Sequence, residues 1–239
     1  MRVLKRRRLS AGQRKAAIVQ AALPLFARKG YAETTTKDLA RAAGVSEPLI
    51  YKHFPSKEAL YAEIQNLCCQ GNDPTIRKLI HLMAELEPST SSLVHLVHCF
   101  VRVQVLGKPV GSVEWDTLQR LMLKSFLEDG AFARTMHQNR FKRFCARIEA
   151  CLEAAVAAGD AVKTPLSPGN SARFAHHLGA WIGLVHLPEK PVMNYRVSRQ
   201  KLVHQAVWFI LSGMGLTRKA IAAHYHPKEL DLFFDLKTT

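Results

Sequence analysis

The stretch TKDLARAAGVSEPLIYKHF, Thr36 to Phe54, decides the fold of this chain. A helix-turn-helix needs a small residue where its helices cross, a glycine in the turn and a β-branched core residue in the second helix, and Ala40, Gly44 and Ile50 occupy those places. Thr35 with Asp38 three residues later forms a capping box, Leu39, Ala40 and Ala43 supply a short apolar face, and Gly44 suits the left-handed residue that closes the helix. Ser46 can cap a second short helix running to Phe54, with Pro48 in its first turn, where a missing N–H costs little. Pro55 stops it. In such a unit the N-terminal side chains of the second helix enter a major groove of DNA while the first helix lies against the backbone. The triplet alone also fits an ordinary helical hairpin, so the flanking residues have to separate the two.

Upstream, Ser10 followed by Gln13 reads as a capping box, and Ile18, Ala21, Ala22, Leu25 and Phe26 recur at helical spacing until Gly30. Pro24 sits inside this segment and predicts a local kink. Downstream, Ser56 can cap a longer fourth helix carrying Leu60, Ile64 and Leu67 to about Gln70. Beyond Gly71 no strand-like alternation persists, and apolar helical stretches fall near 74–87, 90–106, 113–128, 131–158, 171–187 and 199–214. Gly159 to Asn170 and Pro188 to Val197 read as loops. The fold class is therefore all-α, with a basic arm and a three-helix helix-turn-helix domain over residues 1–58 and a larger helical domain over 59–239.

Charge points the same way. The chain has a formal net charge of +15, and residues 1–60 hold 13 Lys/Arg against 4 Asp/Glu, so the excess is concentrated where the helix-turn-helix lies. Such an excess favours a polyanionic partner, nucleic acid or an acidic membrane. The arm Arg2, Lys5, Arg6, Arg7 and Arg8 can reach phosphates or a minor groove, although a charge run is as readily a solvated tail. Polar Ser10 to Lys15 follow it where a signal peptide would need an apolar stretch, and no uninterrupted apolar span has membrane length. Five irregularly spaced cysteines fit buried thiols in a reducing cytoplasm.

The segment FARKGYAETTTKDLARAAGVSEPLIYKHFPSKEALY, Phe26 to Tyr61, closely resembles the TetR family of bacterial transcriptional regulators. The resemblance rests on Phe26 and Gly30, the Thr35/Thr36 cap, Ala43-Gly44-Val45 in the turn, Tyr51 and Phe54, and Lys57 after Pro55. It implies backbone contacts from Thr35, Thr36 and Lys37, with Ser46 at the entry to the recognition helix, and phosphate contacts from Tyr51, His53 and Lys57. Glu47, Pro48, Leu49 and Lys52 would face the bases: Lys52 can donate to guanine, Glu47 can accept from cytosine, and Pro48 or Leu49 can meet a thymine methyl. Glu47 equally favours a helix N-terminus, and Leu49 equally suits a core.

The remainder resembles the family in layout only. By that layout the last two long helices would pair with those of a second subunit. Phe174, Leu178, Trp181, Ile182 and Val185 form one stripe, Ala175, Gly179 and Gly183 a small-residue line, and Leu202, Ala206, Phe209, Ile210 and Gly213 another stripe. Small lines permit close helix approach in a four-helix interface, and intrachain core is the alternative. Phe100, Val103, Trp115, Leu118, Met122, Phe126, Phe144 and Ile148 can line an apolar cavity or fill a core. His95, His98 and Cys99 fall near one helix face, but no second ligand pair completes a metal site, and no cofactor is called for.

These features predict a homodimeric repressor that binds a near-palindromic DNA operator and releases it when an apolar or amphipathic small molecule enters the second domain, with helix four as the mechanical link. A helical enzyme would need a nucleophile elbow, a phosphate loop or a His-Glu-x-x-His motif, and the sequence offers none. A nonspecific DNA-compacting protein fits the charge but not a recognition helix carrying apolar and acidic residues.

Overall fold

The computed structural model describes residues 9–70, 81, 85–107 and 115–238. Arg2, Lys5, Arg6, Arg7 and Arg8 and most of the helix expected at 74–87 lie outside them. The described chain is all-α, relieved by a single isolated bridge between Ala161 and Leu216. It divides into two compact units, one of Met1–Gln70 with Thr117–Met136 and one of Gly71–Asp116 with His137–Thr239.

In the first unit, α1 spans Ala11–Lys29, α2 Thr36–Ala43, α3 Glu47–His53 and α4 Lys57–Gln70. Local signals set every boundary here. Ser10 and Gln13 complete the capping box of α1, with hydrogen bonds of 3.2 and 3.0 Å, and α1 continues through Pro24 until Gly30 at φ 87°. Ser56 accepts from the Ala59 amide at 3.2 Å to start α4. Ile18, Leu23, Phe26, Leu39, Ile50, Phe54, Leu60 and Ile64 form the buried interior. Two later helices belong to this unit: most of α6, Trp115–Leu127, and all of α7, Ala131–Met136. Phe132 of α7 meets Tyr61 of α4 with ring centroids 6.3 Å apart, and the Tyr61 ring lies edge-on to Phe26 at 5.0 Å. Glu128 accepts from the Ala32 amide at 3.4 Å, which ties the α6–α7 turn to the α1–α2 loop.

The second unit is built around α5, Thr90–Leu106. Twelve of its residues are buried, which makes it the central helix rather than a surface one. Packed on it are α8, Lys142–Ala157; α9, Pro168–Leu184; α10, Arg199–Gly213; α11, Arg218–His224; and α12, Pro227–Thr238. The stretch expected as one helix over 131–158 is instead α7 and α8 joined through a π-helical turn, His137–Phe141. Ser167 caps α9 through the Asn170 amide at 3.3 Å with Pro168 in the first turn, so α9 begins earlier than the periodicity indicated. The sequence reading assigned nothing after residue 214, yet α11 and α12 fold there. Each is short, and only Thr217, accepting from the Ala220 amide at 3.1 Å, and the leading Pro227 signal their starts.

Buried histidines make this unit acid-sensitive. Burial holds the His176 imidazolium down to about 4, helped by His177 and His137, and burial holds His98 to about 4 against the pull of Asp231. An unfolded chain protonates the same side chains near 6.5, so between the two values the unfolded state binds more protons and stability falls as pH falls. Each histidine contributes at most about 3 kcal/mol of this loss at pH 4. The midpoint of urea unfolding is expected to drop steadily from pH 6.5 to pH 4, and His176→Phe is expected to flatten that slope. A wild-type midpoint that does not move over this window would contradict the assignment.

Candidate DNA-binding interface

The turn of the helix-turn-helix follows from one backbone requirement. Gly44 adopts the left-handed conformation at φ 62°, ψ 38°, and its amide closes α2 on Ala40 and Arg41. A β-branched residue would be strained there. Before α2, Thr35 accepts from the Asp38 amide at 3.1 Å and donates its hydroxyl to the Asp38 carboxylate at 2.9 Å. Lys29 reaches the same carboxylate at 2.8 Å, and its hydrogen bond, with those from Thr35, holds the Asp38 carboxyl down at about 2. The N-terminus of α2 is thereby anchored to the end of α1.

Ser46 stands at the N-cap of α3 but makes no capping hydrogen bond, contrary to the expected cap, and its side chain is exposed. Pro48 in the first turn and Glu47 beside it stabilise the helix start instead. Ser46, Glu47, Pro48, Tyr51 and Lys52 are exposed, while Ile50 at 3% exposure and Phe54 at 2% seat the helix. Leu49 and His53 are half-buried, so Leu49 is neither wholly core nor wholly free. On α2, Thr35 and Lys37 are exposed and Thr36 is half-buried.

Two arrangements were not legible in the motif. The hydroxyls of Thr36 and Tyr51 lie 3.1 Å apart, which brings the start of α2 and the middle of α3 to one point. One hydroxyl donates to the other, which leaves the accepting hydroxyl's O–H free to donate to a phosphate oxygen. Lys57 is engaged within the chain: its ammonium donates to the carbonyls of Tyr31 at 3.0 Å and Thr34 at 3.2 Å and lies 4.3 Å from the centre of the Tyr31 ring. Tyr31 in turn donates its hydroxyl to Glu58. The ammonium of Lys57 therefore closes the α1–α2 loop before any phosphate is present.

The residues expected to line an effector cavity fall in both units. Leu118, Met122 and Phe126 belong to the first unit, where Leu118 is buried and Phe126 is 65% exposed. Phe100, Val103, Trp115, Phe144 and Ile148 belong to the second. There Phe100 and Phe144 lie 5.0 Å apart, and Ile148 is buried in the core. The second unit also holds a cavity of about 430 Å³ lined by Leu152, Val156, Val162, Lys163, Leu166 and Met214 among others, to which none of those eight contributes.

The proposed subunit-pairing residues divide in two. Ala175, Gly179, Ile182, Gly183, Leu202, Ala206 and Ile210 are buried within the single chain. A side-chain carbon on Gly179 would sit 3.2 Å from the Phe100 ring of α5. At Gly179 the small-residue line permits close packing of α9 on α5 in the same chain, the intrachain alternative the sequence left open. Phe174, Trp181, Trp208 and Phe209 remain 54%, 61%, 47% and 64% exposed, and Leu178 is half-buried.

Burial raises the Cys99 thiol to about 12 and the Cys145 thiol to about 11, which disfavours their thiolates. His98 Nε2 lies 3.1 Å from Asp231 Oδ1, and among the described residues no cluster of His, Cys, Asp and Glu is placed to hold a metal ion. Nor, among them, is any helix long and apolar enough to cross a membrane.

Residues 18–64 match the family described as bacterial regulatory proteins, tetR family. Over 53 residues the chain is 47% identical to the transcriptional regulator EthR of Mycolicibacterium smegmatis, covering 22% of this chain and 24% of that one. Over 111 residues it is 32% identical to a transcriptional repressor of Mycobacterium tuberculosis, covering 46% and 57%. These matches span less than two thirds of either relative. A protein of Saccharomonospora viridis, solved in complex with choline, shares the fold with a TM-score of 0.62 at 17% identity, over 87% of this chain and 100% of that one. With its helix-turn-helix built as the motif requires, the segment over residues 18–64 is that of the bacterial regulatory proteins of the tetR family, and the chain as a whole shares their all-α fold.

Proposed function

We propose that this protein is a ligand-responsive transcriptional repressor that binds a near-palindromic operator as a homodimer. The observation that carries the reading is the exposed row Ser46, Glu47, Pro48, Tyr51 and Lys52 on a helix whose opposite side is locked into the core by Ile50 and Phe54. Thr35, Thr36, Lys37, Tyr51, His53 and Lys57 serve the phosphate backbone in this reading, while Glu47, Pro48, Leu49 and Lys52 read bases. The arm Arg6, Arg7 and Arg8 adds sequence-independent attraction. Residues 1–58 act as the DNA-binding domain and 59–239 as the effector-binding and dimerisation domain.

Dimerisation in this reading uses the outward aromatic faces of α9 and α10, Phe174, Trp181, Trp208 and Phe209. Four large aromatic side chains left exposed on two packed helices support an interaction site there. The effector is an apolar or amphipathic small molecule held by the helical domain; the choline bound to the Saccharomonospora viridis relative supports a ligand-sensing role for the shared fold. Binding biases the spacing of the two recognition helices through α4.

Base reading is tested at Lys52. In operator variants compared with random DNA, Lys52→Ala is expected to relax preference at one base pair by about 1–3 kcal/mol, while affinity for random DNA changes little beyond the loss of one cation. Unchanged discrimination at every position would show that Lys52 does not contact a base.

A further inference from the structure

On α12, the carboxylate of Asp231 is met by donors from two core helices. From α5, His98 Nε2 lies 3.1 Å and Arg102 Nε 3.3 Å from Oδ1. From α10, His204 Nε2 lies 2.9 Å from Oδ2, and the Gln200 amide donates to the same oxygen. Four donors saturate both oxygens of one carboxylate. The His98 side chain is fully buried and that of Arg102 is 7% exposed. Beside them, His98 Nδ1 and the Tyr225 hydroxyl are buried and make no hydrogen bond among the described residues. Burial alone would raise the Asp231 carboxyl, but hydrogen bonds from His204 and Gln200 and the nearby imidazoles outweigh it and hold the group below its ordinary value.

The set meets both oxygens of one carboxylate, two donors to each. The donors belong to α5, where His98 and Arg102 are buried, and to α10, where Gln200 and His204 are half-buried, while the acid rides on α12. Of the side chains described on α12, only Leu230 is buried with it, and Leu232 is 63% exposed. If α12 leaves, four donors aimed at one carboxylate lose it together, and a buried or half-buried donor set of this kind favours another anion. Leu230 and Asp231 together set an isobutyl group beside a carboxylate, the two features of a short aliphatic acid.

We propose that His98, Arg102, Gln200 and His204 form a recognition site for a small aliphatic carboxylate, occupied in this structure by the chain's own Asp231, and that such a ligand displaces Asp231 and releases α12. This rests on the reading of the helical domain as a ligand sensor and assigns the ligand its chemical class. Because Asp231 competes from within the same chain at an effective concentration on the order of millimolar, the ligand must add apolar contact to its charge.

Amide hydrogen exchange on the full chain tests it, with hexanoate as probe and hexanol as its uncharged counterpart. Hexanoate is expected to speed exchange over residues 227–232 by about tenfold or more, and hexanol to leave it unchanged. In Asp231→Ala, with the internal competitor gone, hexanoate is expected to raise the melting temperature by a few degrees, more than in the wild type. Unaltered exchange in the wild type with hexanoate, or an equal effect of hexanol, overturns the assignment whether or not the variant folds. Sequence-specific DNA binding measured without carboxylate tests the regulator reading separately, so the two can fail independently.

Discussion

Replacing Phe209 with glutamate is expected to yield a folded monomer whose affinity for the operator falls by about 100-fold or more. Phe209 is 64% exposed, so the change leaves the intrachain core of Leu202, Ala206 and Ile210 intact and the helix content unchanged. In a dimer built on the aromatic faces of α9 and α10, the same glutamate would be buried without a partner near Trp181 or Trp208, a cost that association cannot absorb. One recognition helix covers too few base pairs to be specific, and linking two half-sites raises avidity by on the order of 10²–10⁴, all of which a monomer forfeits. Sedimentation and operator titration of the variant read the two effects together. A Phe209→Glu protein that sediments as a dimer and binds normally would place the interface on another surface.

The second large effect is expected at Phe26, at 1% exposure and in ring contact with Tyr31 and Tyr61. Truncation to alanine opens a cavity between α1 and α4 and costs about 3–5 kcal/mol, a large part of what a small helical unit has to lose. All three tryptophans, Trp115, Trp181 and Trp208, lie in the second unit, so their fluorescence follows that unit while far-ultraviolet dichroism follows both. The dichroism of Phe26→Ala should show an early loss of helix that tryptophan fluorescence misses, together with lost DNA binding. Coincident transitions at the wild-type temperature would mean that the Phe26 ring contributes little.

Much of the first unit was legible because its signals are local. The Ser10–Gln13 and Thr35–Asp38 boxes, Gly44 and the Ser56 cap each act within four residues, and the structure places each as expected. Ser46 departs from the pattern because Pro48 and Glu47 already stabilise the start of α3. The contacts of Lys57 with two carbonyls and the Tyr31 ring were not legible, because the fold alone brings those groups to its ammonium. In the second unit periodicity found α5, α9 and α10, but it missed the two short C-terminal helices and could not say what each stripe packs against.

The sequence by itself determined an all-α chain, a helix-turn-helix at Thr36–Phe54 and the family to which that segment belongs, since caps, turn glycine and apolar spacing are short-range and specific. Only the tertiary structure decided that Ala175, Gly179 and Gly183 serve the chain's own core and that the α6–α7 segment belongs with the first unit. Only it, too, brought Asp231 to His98 and Arg102 across 133 and 129 residues. The reason is physical: a periodic stripe records that a helix face is removed from water, an energy almost independent of what covers it. Which partner covers it depends on how the connections bring distant helices together.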